Sequence, residues 1–307
     1  MNSFFGELYL MRGQITEYTR LMAYAYSEEG LSHARSAHRG ETPYDTAKYL
    51  LIEPLIERSL GVIVHSHYAE SLIRARRPGV SVKRIPLVTD IAFSSASAEE
   101  AKLQLGFEQS DLIIAAFGYI SPTKRLEKLL SVSSMLRNKI PHIKLAIVGE
   151  AIDGYDLYTE IAALGLADIT RVTGYVKESE LRTYLAATDV GFNLRYPTIG
   201  ESSATLVALM ASAKPTLVSN VDAFVEYPDD ACIKIDIGEH EEFQIASALN
   251  KLLSDAELRR QIGHNARRYV EFTCAPALVA QQYMEFVETV LNEIAPSKMK
   301  ASLSSKR

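Results

Sequence analysis

An α/β fold with one parallel sheet and helices on both faces is predicted for the second half of this 307-residue chain, roughly residues 96–272, and three observations predict it. Six short apolar, β-rich runs occur there, at 111–117, 143–149, 168–174, 189–194, 215–219 and 231–235. Their apolar character is continuous and does not alternate, which suits strands buried on both faces. Helical patterns at about 124–138, 153–164, 177–188 and 202–213 separate them, the rhythm of a wound parallel sheet. No fixed-period repeat competes with this reading.

Each element has its own justification. Leu126, Leu129, Leu130 and Leu136 mark one face of the first helix. TLVALMASA, within 202–213, is apolar all round and must be buried. Residues 239–253 and 255–294 read as closing helices, and the polar tail 295–307 as disordered.

Residues 1–95 read differently. Helices are expected near 14–37 and 43–59, the second opened by Thr42 and Pro43 as cap and first helical residue. A strand at 61–66, a helix near 67–76 and a strand at 82–87 follow, then a small, polar linker from Val88 to Glu100. Two strands make no stable buried parallel sheet. This part therefore reads as an incomplete N-terminal domain, and its apolar opening (Phe4, Phe5, Leu8, Tyr9, Leu10, Met11) suits self-association or an upstream segment.

Composition excludes several classes. Hydrophobic residues at 47% and charged residues at 23% describe a globular chain, not a disordered one. A net charge of −5 gives no basic field for nucleic acid. Cys232 and Cys274 form neither a CxxC nor a metal spacing, which points to a reduced, cytoplasmic chain. No run reaches the ~20 apolar residues of a membrane span, and the N-terminus is a poor signal peptide. The run Arg74, Arg76, Arg77, Lys83, Arg84 suits peripheral contact with anionic lipid, although a solvated helix end explains it more readily. His65 and His67 have a metal-like spacing but no nearby carboxylate, and no metal is expected.

Three junctions at carboxyl ends of expected strands are candidate sites, because open α/β sheets bind ligands there. In FGYISPTKR, Gly118 follows a strand and Lys124 and Arg125 open a helix, a suitable place for a phosphate; two solvated charges on a tight turn are the bland alternative. In NLRYPTIGESSATLVALMASAKP, Arg195 closes a strand and Glu201 precedes Ser202 and Ser203 at a helix start, where a serine is first of all an N-cap. In TGYVKESEL, Gly174, Tyr175 and Val176 offer backbone against which a planar base would lie.

Taken in order, these motifs resemble the retaining glycosyltransferases of family 4, enzymes of GT-B architecture with two facing Rossmann domains. The resemblance runs from about Pro54 to Leu291 and takes in GVIVHSHYAESL, FGYISPTKRLEKLL, KLAIVGE, VTGYVKESELRTYLAATDVGFNL and RYPTIGESSATLVALMASAKPTLVS. It implies a partial acceptor-side domain at 1–95, a nucleotide-sugar-binding domain at 96–272 and a helix at 273–294 that packs back on the N-terminal part. It also implies a hexosyltransferase-type enzyme of surface polysaccharide or glycan synthesis, moving sugar from a nucleotide-sugar donor to a saccharide or lipid-linked acceptor without cofactor or metal. By resemblance, Lys124 neutralises the diphosphate with Gly118 allowing close approach, the amides around Ser202 and Ser203 cap it, Gly174, Tyr175 and Val176 line the base pocket, and Glu201 is the catalytic, sugar-binding carboxylate. Arg125 is the candidate substitute for the family's missing arginine charge, and the loop itself offers Arg195 as a donor-binding group for an anion.

The chain departs from the family pattern in four places. Tyr119 stands where an arginine is usual, Gly200 lies where the first of two glutamates aligns (beside Glu201), Ala208 takes the second, and Ala213 replaces a glycine. With the short N-terminal part, these departures support an alternative: a truncated or non-catalytic nucleotide- or glycan-binding module. A Rossmann oxidoreductase is disfavoured, since no GxGxxG follows any strand.

Overall fold

The computed structural model describes residues 2–46, 48–88, 97–152 and 154–304, without the side chains of 2–5, 7 and 294–304. Two compact units result: unit 1 is Met1–Ile85, Pro197–Glu201 and Gln281–Arg307, and unit 2 is Pro86–Tyr196 and Ser202–Ala280.

Unit 1 opens with helices α1 (Asn2–Met11) and α2 (Ile15–His38), the latter kinked at Ser27. Helix α3 (Glu53–Ile56), strand β1 (Val62–Val64), helix α4 (His67–Arg76) and strand β2 (Val82–Arg84) follow. Strands β1 and β2 pair in parallel, with Val62 opposite Val82. The helix expected over 43–59 is confined to α3, a correction with a clear cause. Tyr49, Leu50, Leu51 and Ile52 are buried without regular structure, Leu50 N–H donates to the Tyr26 hydroxyl at 2.6 Å, and Leu51 has φ 50°. Burying this run, Tyr49 and Leu51 against α2 and Leu50 and Ile52 against Ile73 and Val82, outweighs its helical propensity, and Pro54 tolerates the first turn of α3 because no N–H is needed there.

The side chains of Phe4 and Phe5 lie outside the described residues; Leu8, Tyr9 and Leu10 are half-buried and Met11 is exposed. Three residues of the basic run hold carboxylates: Arg74 binds Glu70 at 2.8 Å, Arg76 binds buried Glu53 at 2.8 Å, and Arg77 binds Glu57 at 2.6 Å. His65 Nδ1 donates to the Ile85 carbonyl at 2.8 Å, a structural contact, whereas His67, expected to have no carboxylate nearby, lies 3.6 Å from Glu70, one helical turn on.

Unit 2 begins, within the described residues after the linker, at a capping box. Ser97 Oγ accepts the Glu100 N–H at 3.2 Å while Glu100 accepts the Ser97 N–H at 2.8 Å, which starts helix α5 (Ala98–Gln104). The other linker residues, 89–96, lie outside the described residues. Strand and helix then alternate: β3 (Leu112–Phe117), α6 (Leu126–Leu136), β4 (Ile143–Val148), α7 (Leu157–Ala163), β5 (Thr170–Val172), α8 (Glu178–Ala187), β6 (Val190–Asn193), α9 (Ala204–Ala211), β7 (Thr216–Ser219) and β8 (Ile233–Ile235). Helices α10 (Glu241–Ser254), α11 (Ala256–Thr273) and α12 (Pro276–Ser304) close the chain.

The six strands form one sheet in the order β5-β4-β3-β6-β7-β8, and every pair is parallel. This is the fold class expected from the sequence. Strand β3 shows why its apolar run is unbroken: Ile114 and Ala116 join one core, with leucines of α6 and α10, while Ile113, Ala115 and Phe117 join another, with residues of α5 and α8. Both faces are covered. Helix α9 buries Leu206, Val207, Ala208, Leu209, Met210 and Ala211, as an apolar helix must.

Residues of α12 from Gln281 onward belong to unit 1, where a Cβ built on Gly61 would lie 2.9 Å from Val290 Cγ2 and 3.0 Å from Phe286 Cζ. The tail expected to be disordered, 295–307, is helical in its described part: α12 runs on to Ser304, and 305–307 lie outside the described residues. Among the described residues no helix is long and apolar enough to cross a membrane.

Candidate functional site

The strand order reverses between β3 and β6: the chain winds outward from β3 to β4 and β5, then returns to the other side of β3. At such a switch point the loops leaving the two strands diverge and open a crevice at their carboxyl ends. The loops that follow β3 and β6 are the first and second sequence junctions.

After β3, Gly118 takes φ 87°, a conformation glycine reaches without strain. Its amide donates to the Val148 carbonyl at 2.9 Å. A 3-10 turn, Pro122–Lys124, follows, and Arg125 sits left-handed (φ 57°, ψ 31°) before α6 begins at Leu126. Lys124 and Arg125 therefore precede the helix and do not form its first turn. Lys124 Nζ curls back to donate to the Phe117 carbonyl. A Cβ built on Gly118 would lie 3.1 Å from Lys124 Nζ and 3.5 Å from Thr205 Cγ2, so the glycine lets three elements converge.

After β6, Asn193, Arg195, Ser203 and Thr205 form a connected polar group. Ser203 caps α9 by accepting the Leu206 N–H at 3.2 Å, and donates to Asn193 Oδ1 at 3.0 Å. Thr205 donates to the same oxygen at 3.1 Å, and an Arg195 terminal nitrogen reaches Ser203 Oγ at 3.4 Å. Arg195 N–H is itself held by Ser219 Oγ at 2.8 Å. Because Ser203 satisfies Leu206, the amides of Ala204 and Thr205 are left without partners inside the helix, as first-turn amides always are. Ser202 is half-buried beside the cap and is not itself the cap.

The electrostatics follow from this packing. Burial, and second the Arg195 charge, hold the Lys124 ammonium well below the lysine range, at about 7. Two cationic side chains and a helix N-terminus thus converge on one crevice, a combination that favours an anion. Arg125 is engaged elsewhere: its Nε binds Glu241 at 3.0 Å, and a terminal nitrogen binds the other carboxylate oxygen.

The third junction follows β5 and meets the loop that leaves β4. Gly149 and Gly174 form an isolated bridge after β4 and β5, with φ 151° and 67°. A Cβ on Gly149 would collide with the Gly118 carbonyl, so that glycine fixes how closely the loops approach. Tyr175 is 81% exposed and Val176 is half-buried. Sequence reading missed Gly149, Asn193 and Thr205; the small or polar residues that directly follow β4, end β6 and open α9 are the local signal for them.

Glu201 belongs to the Pro197–Glu201 stretch of unit 1, where its carboxylate accepts the Ile199 N–H at 2.8 Å. In that stretch Gly200 (φ 82°) packs on α4, a built Cβ lying 3.3 Å from Tyr68 Cε1. Ala208, where the resemblance aligns a second glutamate, is buried in the apolar core. Ala213 adopts φ 56°, the left-handed conformation for which a glycine is usual. Glu108, Asp111 and His142, at the opposite, amino ends of β3 and β4, are the one group of three or more among the described residues with carboxylate and imidazole atoms all within 4.8 Å of one another. Asp111 accepts the Glu108 N–H there at 2.8 Å, an ordinary turn contact.

A parallel six-stranded sheet with an anion-suited crevice at its switch point defines a doubly wound α/β protein, the class that takes its ligands at that crevice. The family model for glycosyl transferases group 1 matches residues 97–269, and the chain belongs to that family. A relative, the uncharacterized glycosyltransferase YqgM of Bacillus subtilis, is 27% identical over 246 residues, covering 78% of this chain and 64% of the relative. The alpha-D-kanosaminyltransferase of Streptomyces kanamyceticus is 22% identical, over 63% of this chain and 50% of its own. The chain thus spans between half and two thirds of the length of the curated relatives it matches. Among solved structures, Anabaena Alr3699/HepE in complex with UDP-glucose aligns with a TM-score of 0.69 at 18% identity, covering 82% of this chain and 69% of that one. Sucrose-phosphate synthase from Thermosynechococcus elongatus aligns at 0.69 and 19%, over 85% and 67%. These likenesses show the GT-B fold.

Proposed function

We propose that this chain binds a nucleotide-sugar at the β3–β6 crevice and transfers its sugar to a saccharide or lipid-linked saccharide acceptor, in surface polysaccharide or glycan synthesis. The observation that carries this is the convergence of Gly118, Lys124, Arg195 and the Ser203-capped end of α9. In this reading Lys124 and Arg195 neutralise the diphosphate, and the amides around Ser202 and Ser203 cap it. Gly174, Tyr175 and Val176 receive the base, and Glu201 hydrogen-bonds the donor sugar. Positive groups arranged before reaction stabilise the charge that develops on the departing diphosphate, so no metal is called upon.

Calorimetric titration with UDP, GDP and ADP is the direct test. One of them should bind, and silence from all three at millimolar concentration would remove the donor site. Glu201→Ala should leave that nucleoside diphosphate's affinity unchanged but reduce the extra affinity of the matching nucleotide-sugar. Equal loss for both ligands would argue against a sugar contact. A second reading, nucleotide binding without transfer, is favoured by Ala208 being apolar and buried; donor turnover in the presence of saccharide acceptors separates the two.

Binding should also take up a proton. With Lys124 held at about 7 in the empty site, it is mostly neutral at pH 8 and must be recharged by the incoming diphosphate. Affinity should therefore fall as pH rises above about 7, by up to about tenfold per unit. Titrations at pH 8 in buffers of different ionisation enthalpy read the proton directly. A buffer-independent enthalpy would contradict the placement of Lys124.

A further inference from the structure

We propose that Glu241 is a positioning residue for the donor-phosphate loop: through a two-pronged ion pair it holds Arg125 in the left-handed turn that presents Lys124. The proposal rests on the donor-site reading above and deepens it.

A non-glycine residue in the left-handed region costs on the order of 1 kcal/mol, so Arg125 needs something to hold it there. Glu241 supplies a fork-to-fork pair, the strongest geometry available between these groups. It is 1% exposed, so water does not compete for the carboxylate. Its own helix is fixed, since Ile245 and Leu249 of α10 are buried in the main core. Arg125 also lies over the Tyr196 ring at 5.9 Å, and Tyr196 N–H donates to the Thr123 carbonyl at 2.8 Å. Finally, Lys124 N–H donates to the Ser121 carbonyl at 3.0 Å and Arg125 N–H to the Pro122 carbonyl at 3.1 Å. The turn is therefore one unit, and releasing Arg125 releases Lys124.

A purely adhesive role, α10 glued to α6, is the competing account. The neighbouring clamp provides its control: Glu242 accepts Lys128 Nζ at 2.7 Å and Ser131 Oγ at 3.0 Å, joining the same helices through side-chain bonds none of which is made to Arg125 or Lys124.

The test compares Arg125→Gly/Glu241→Gln with Lys128→Gln and wild type. Glycine takes the left-handed turn without strain, and glutamine leaves no buried charge unpaired. The probe is whichever of UDP, GDP and ADP the wild type binds most tightly, titrated from pH 6 to 9. The double variant should bind it about tenfold more weakly. Its loss of affinity with rising pH should also move to higher pH, because a freed Lys124 regains water. Lys128→Gln should keep the wild-type affinity and pH profile. If thermal melting shows the double variant unfolded, Glu241→Gln alone serves, with about a threefold loss and the same direction of pH change. A folded double variant with wild-type affinity and profile overturns the proposal, as does an equal effect from Lys128→Gln. A wild type that binds no nucleoside diphosphate removes the donor reading itself, and this proposal with it.

Discussion

Lys102→Ala should destabilise unit 2 by about 3–5 kcal/mol, the usual result of stranding one member of a buried ion pair. Lys102 lies on α5 and is almost wholly buried. Its Nζ binds Asp189 at 2.8 Å and donates to the Asp111 carbonyl at 2.7 Å. Asp189 also accepts the Ile113 N–H at 2.8 Å, so its carboxylate ties the starts of β3 and β6 together. Without the lysine that carboxylate keeps the Ile113 hydrogen bond and loses its direct ion pair, with only the field of the buried Lys214 ammonium as counter-charge. Urea unfolding followed by far-UV circular dichroism measures the loss, and the melting temperature should fall by on the order of 10 °C. Lys102→Met/Asp189→Asn removes both charges and leaves an acceptor for Ile113, so most of the loss should be restored. If Lys102→Ala costs under about 1 kcal/mol, the pair behaves as a surface bridge and its burial has been overrated.

The same network shows what a sequence conceals. Lys102 reads as a solvated charge on a helix beginning Ala-Glu-Glu, and its partner lies 87 positions away. The sheet itself was legible because its strands are buried on both faces, so Leu112–Phe117 and Ile143–Val148 read as unbroken apolar runs. The misread helix at 43–59 failed for the mirror-image reason. Tyr49–Ile52 is equally apolar, and its irregular path is set by distant partners, Tyr26 in α2 on one side and Ile73 and Val82 on the other. At the candidate site, Gly118, Lys124 and Ser203 carry local signatures: a glycine after a strand, a lysine before a helix, and a cap. Glu241 carries none, because its pairing with Arg125 spans 116 positions and exists only once α10 packs on α6. What one loop or cap specifies could be read; what two distant elements specify together could not.

Lys124→Ala should weaken nucleoside diphosphate binding by about 1.5–3 kcal/mol, the worth of a hydrogen bond to a charged group, or roughly 10- to 150-fold in Kd. The ammonium is already in the crevice, fixed by the Phe117 carbonyl and close to Gly118, so little ordering is needed when the ligand arrives. Proton uptake at pH 8 should disappear with the side chain, because the group that recharges is gone. Stability of the empty protein should move the other way. A lysine whose folded value lies at about 7, below its ordinary range, penalises the native state at acid pH, where it is charged in both states. That penalty fades as pH rises from about 7 through the ordinary lysine range, so stability rises with pH over that window. The alanine variant should consequently melt no lower than wild type at pH 6 and bind the diphosphate far worse. A variant that keeps both its affinity within twofold and its proton uptake would show that the diphosphate is held by Arg195 and α9 alone.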